Sequence, residues 1–211
     1  MTIGAYSELL TRVSALLHGE GANFGAQPND SETLDIVVNM AENRIYRDVR
    51  SRYNQKDFTA LTTTSNAVNI PADLIAVARI WINAKPLEAT TEEFIREYNA
   101  NGSTGDCTYY AQSGNTIIFA PALANGTAII GRYYARLPAL KTTFSNAMFA
   151  AYEDLFVYAC LLEGENFWPI INAPKWAAFY ENIKQSIVYD EKNAIYNGST
   201  IKRKPSVGLY R

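Results

Sequence analysis

The spacing of apolar residues changes twice along this chain, and that change limits the folds open to it. Up to about residue 52 they recur every three or four positions, as on one face of a helix. Leu9, Leu10, Val13, Leu16 and Leu17 make the first such face, over residues 3–17. Gly19, Gly21 and Gly25 interrupt it. Leu34, Val38, Ala41, Ile45 and Val49 make the second. That helix starts at Asp30 or Ser31, either able to cap it, and runs to about Arg52. Glu42, Arg47, Asp48 and Arg50 fall on its other face. After Pro138 the helical spacing returns. Met148, Ala151, Leu155, Tyr158, Ala159 and Leu162 mark a helix over 145–164. Trp176, Phe179, Ile183, Ile187 and Ile195 mark another from Pro174 to Tyr196, closed by a glycine cap at Asn197-Gly198.

Between these halves the pattern is that of strands. "DFTALTTTSNAVNIPADL" reads as a short hairpin turning at Ser65-Asn66 and ending at Pro71. "CTYYAQ", "TIIFAP" and "TAIIGRYYARL" read as three more strands, with turns at Ser113-Gly114-Asn115 and Asn125-Gly126. Thr91-Glu92-Glu93 opens a small helix through Tyr98, with Thr91 as its cap. In "GRYYARLPAL", Tyr133 and Tyr134 point to opposite faces of a strand, which Pro138 ends. The spacing thus predicts an α+β chain. A four-helix body (1–55 and 140–197) carries an antiparallel sheet of five or six strands inserted between helices 2 and 3 (56–139). An extended tail (198–211) follows.

Composition narrows the function. Charged residues are 19% of the chain, against about 25% in ordinary globular domains, and there are 14 tyrosines. Interface cores lose charge and gain tyrosine, so extensive contact with partners competes with a tyrosine-rich core as the explanation. The stretch from residue 197 holds Lys202, Arg203, Lys204, Arg211 and no acid. The remainder keeps 15 basic against 21 acidic side chains, a balance of −6. The start lacks the pattern of a signal peptide and no apolar run approaches membrane-spanning length, so a soluble intracellular product is expected, without membrane contact.

Catalytic patterns are sparse. The single histidine, His18, closes the first helix, where an imidazole can meet the last carbonyls. Cys107 and Cys160 are isolated and suggest neither a disulfide framework nor a metal site. The paired acids Glu92-Glu93 and Glu153-Asp154 do not face one another on a helix. No catalytic residue, metal ligand or cofactor site is expected, and the chain is read as no enzyme. Duplex binding needs a basic footprint, which only the tail offers. The tail's apolar residues, Ile201, Val207, Leu209 and Tyr210, suit docking on a protein groove or sheet edge. A merely solubilising tail is the plain alternative.

Four stretches together resemble the head–tail adaptor (connector) proteins of tailed bacteriophages, the short-tailed type especially. They are "ETLDIVVNMAENRIYRDVRSR", "NAVNIPADLIAVARIWIN", "GNTIIFAPALANGTAIIGRYYARLPAL" and "YEDLFVYACLLEGENFW". The resemblance covers about residues 5–195. It implies a structural virion protein of the neck, made in the host cytoplasm, with copies closed into a ring of about twelve by rotational symmetry. The ring would lie under the portal protein, extend the channel for passing double-stranded DNA without sequence-specific contact, and present a surface to the tail nozzle. Arg44, Arg47, Pro71, Pro121, Tyr133, Tyr134, Leu137 and Pro138 are the signature positions, with structural roles. Portal docking would fall to the tail residues Ile201, Lys202, Arg203, Lys204, Val207, Leu209 and Tyr210. The alternative is a nucleic-acid-binding accessory protein acting through the same tail.

Overall fold

A computed structural model of the chain describes residues 5–19, 30–58, 61–62, 66–102, 104–168 and 173–196. Among them are seven α-helices: α1 (Tyr6–Gly19), α2 (Asp30–Asp48), α3 (Glu92–Ala100), α4 (Leu140–Thr143), α5 (Ala147–Ala151), α6 (Glu153–Gly164) and α7 (Ala173–Tyr196). The strands are β1 (Gln55–Asp57), β2 (Leu61–Thr62), β3 (Ala67–Asn69), β4 (Leu74–Ile82), β5 (Lys85–Pro86), β6 (Glu88–Ala89), β7 (Tyr109–Ser113), β8 (Thr116–Ala120) and β9 (Ala128–Ala135). The chain divides into two compact units. One takes the chain up to Arg52 and again from Tyr152. The other is Tyr53–Ala151, so α4 and α5 belong with the strands.

In the helical unit α6 packs against α1, α2 and α7. The expected stripe of α2 is in place: Leu34, Val38, Ala41, Ile45 and Val49 are all buried. Glu42, expected on the outer face, is buried too. The single helix expected over 145–164 is two, separated at Tyr152, whose φ of −136° and ψ of 52° lie outside the helical region. Nor is α6 amphipathic. Leu155, Phe156, Val157, Ala159, Cys160 and Leu161 are buried all round it, the pattern of a helix enclosed by others. In α7 the buried line runs through Trp176, Tyr180, Ile187 and Glu191, while Phe179 is exposed.

Polar contacts join these helices. The Arg44 guanidinium on α2 donates to Glu163 on α6 at 2.5 Å. Tyr180 on α7 donates to Asp48 at 2.8 Å, and Tyr6 on α1 donates to Asp35 on α2. Glu191 on α7 does the most. Its Oε1 accepts from Ser51 Oγ and from Tyr152 OH, each at 2.9 Å, and its Oε2 accepts from the Arg52 N–H at 3.1 Å. Ser51 and Arg52 stand where the chain leaves this unit, and Tyr152 where it returns.

The strand unit has two sheets where one was expected. The first runs β1-β9-β4-β5, with β2 also on β9. The second runs β3-β8-β7-β6. Pairing is antiparallel except for β6 with β7. The hairpin expected across Ser65-Asn66 does not form, because β2 pairs with β9 and β3 with β8. Ile80, Ile82, Ile129 and Tyr133 of the first sheet share a core with Val68, Ile117 and Phe119 of the second. The alternate residues of the second sheet, Ala111 and Ala120, pack with Ile95 of α3. Thr91 caps α3 as expected, its Oγ1 accepting from the Phe94 N–H.

Candidate interaction surface

The signature positions are spread over both units. Arg44 makes the α2–α6 ion pair. Arg47 is exposed in the last turn of α2. The Pro71 carbonyl accepts from the Leu74 N–H at 3.0 Å, in the turn that starts β4. Pro121 is buried next to the end of β8. Tyr133 is buried, stacked on Phe58 with ring centroids 5.3 Å apart, and its hydroxyl donates to Asp73 at 2.9 Å. Tyr134, on the other face of β9, is half-buried. Leu137 and Pro138 follow the end of the strand. The tail residues Ile201, Lys202, Arg203, Lys204, Val207, Leu209 and Tyr210 lie outside the described residues, as does the side chain of His18.

Burial pushes the Cys107 thiol up to about 11 and the Cys160 thiol well above the ordinary cysteine value, so neither is a thiolate at neutral pH. Among the described residues, no group of three or more His, Cys, Asp and Glu could hold a metal ion. No helix among them is long and apolar enough to cross a membrane.

The features that suit contact with other molecules are aromatic. On the helical unit, residues of α1, α6 and α7 line an open cavity of about 300 Å³. Tyr158, Trp176 and Phe179 line it as one cluster, with centroids 5.3–6.1 Å apart. Arg12 and Lys175 bring two positive charges to it and Asp154 one negative. The Lys175 ammonium stands 4.9 Å from the Trp176 ring centroid. Trp176 is only 7% exposed, yet its indole N–H has no hydrogen-bond partner. On the strand unit, Phe94 and Tyr98 of α3 join Tyr109 of β7 in a second cluster, with centroids 5.2–6.1 Å apart. Phe94 is 38% exposed, and Glu93 and Glu97 are exposed beside it. Phe144 is 63% exposed although its φ is 61°, a conformation that bulky residues rarely adopt.

Aromatic clusters thus lie on both units. The family model of the SU10 adaptor protein matches residues 5–202. The chain belongs to that family. It is a bacteriophage adaptor, a structural component of the virion. A comparison with curated proteins gave no match. Sequence reasoning had taken Tyr158, Trp176 and Phe179 for core stripes of two separate helices. The structure brings these rings together as one cluster beside Arg12 and Lys175, on helices far apart in the chain, a grouping that no local pattern encodes.

Proposed function

We propose that this adaptor is a head–tail connector of the short-tailed type, without enzymatic activity. Its copies form a ring under the portal, lengthen the DNA channel and present the docking surface for the tail. The helical unit, with α1, α2, α6 and α7, builds the ring wall. The residues beyond 197 hook the portal through Lys202, Arg203 and Lys204 and the apolar residues around them. Membership of the adaptor family over residues 5–202 is the observation that carries this reading. The acidic balance of the chain outside the tail supports a channel wall that repels passing DNA rather than gripping it.

Electron microscopy of the purified protein, with and without portal, tests the reading. Rings seated on portals are expected. Portals that stay bare in an excess of the protein would overturn it. Removing 198–211 should leave the fold intact and weaken portal binding. If that deletion instead abolished a steeply salt-dependent binding to DNA, and left portal binding untouched, the tail would be a nucleic-acid arm.

A further inference from the structure

The two aromatic clusters are chemical opposites at their rims. The cavity on the helical unit carries Arg12 and Lys175 against the single acid Asp154. The patch on the strand unit presents Glu93 and Glu97 one turn apart on α3, beside the partly exposed ring of Phe94. That patch has the complementary chemistry: carboxylates for the two cations, and an aromatic edge for the aromatic wall.

We propose that α3 of one copy seats in the α1–α6–α7 cavity of the next, with Phe94 against Tyr158, Trp176 and Phe179. Glu93 and Glu97 then face Arg12 and Lys175. The contact joins two different surfaces, so it repeats head to tail around a closed ring and leaves one free cavity and one free α3 at every break. Glu92 is not used, since it already accepts from Arg96 on its own helix. The proposal rests on the ring-forming reading above and names the contact that closes the ring.

A charge exchange tests it. Lys175→Glu, and separately Glu97→Lys, should each weaken association of copies on the portal about tenfold, because each leaves like charges facing across the contact. Combining the two in one chain should restore association to within about threefold of the unaltered protein. Association is read by mass photometry of portal–adaptor complexes, and circular dichroism checks that each variant is folded. Lys175 and Glu97 are both exposed, so neither change threatens the core. Rings that form unchanged in both single variants would overturn this contact while leaving the ring reading intact. Failure of the double variant to recover, with both singles weakened and folded, would also overturn it. Failure of the unaltered protein to assemble on portals would overturn both.

Discussion

Gly131 sits on β9 directly under the ring of Phe58. A Cβ placed there would lie 2.2 Å from a ring carbon of Phe58 and 2.9 Å from the Arg79 carbonyl oxygen. Glycine is needed for space, so that Phe58 can lie over the strand and stack on Tyr133. Gly131→Ala should push Phe58 off that stack and cost about 1–3 kcal/mol, read as a lower urea midpoint. An unchanged midpoint would mean that Phe58 has somewhere else to go. Tyr133 is tied in turn to Asp73, which also accepts from Lys56 at 2.6 Å. Burial alone would raise the Asp73 carboxyl, but the hydrogen bonds from Lys56 and Tyr133 outweigh it and hold the group below the ordinary aspartate value. That stabilisation is present above the unfolded value and is lost as pH falls through the folded one. Burial, followed by the Asp73 hydrogen bond, pushes the Tyr133 hydroxyl up to about 12. Its contribution is whole below the ordinary tyrosine value near 10 and fades as pH rises toward 12. Asp73→Asn should therefore remove the acid limb of a stability–pH curve and only lessen the alkaline one, since burial of Tyr133 remains, and a curve of unaltered shape would refute the coupling.

At the scale of elements, the helices were legible where a stripe met a single neighbour and illegible where burial came from several sides. The α2 stripe is such a local pattern, and every residue of it was found buried. The break at Tyr152 has no glycine or proline to announce it. Its hydroxyl is bonded to Glu191, 39 residues on, a contact that no local window contains. The turn at Asn66 was legible, since its φ is 62°, a conformation asparagine tolerates. The partners of β2 and β3 were not, because β9 and β8 arrive from more than 45 residues away. The cavity lined by α1, α6 and α7 was hidden for the same reason. Glu191 is the joint on which these elements depend. Glu191→Ala would leave the Ser51 and Tyr152 hydroxyls and the Arg52 N–H without their shared acceptor, at a cost of about 3 kcal/mol. Amide exchange should quicken around residues 49–54 and 152–155. Quickening confined to the α7 end alone would show that the carboxylate does not join the crossings.

For the whole molecule, the division into two units makes a prediction about cooperativity. Phe119 is fully buried in the core shared by the two sheets. Phe119→Ala should remove about 3–5 kcal/mol from that core. Hydrogen exchange should then show lost protection in β4, β8 and β9, while α6 keeps its own. An equal loss in α6 would mean that the two units unfold as one. The Glu191 joint bears on how such a chain folds at all. Residues 53–151 form a single long excursion out of the helical unit, and the side chains of Ser51 and Tyr152 meet at its neck, 3.3 Å apart. Bringing the ends of a chain of that length together costs on the order of 4 kcal/mol in lost freedom. The carboxylate that closes the neck comes from the last helix, outside the excursion. Once the helices have assembled, the strands begin their own folding from a loop already closed, and the entropy of closure has been met by residues that are not theirs.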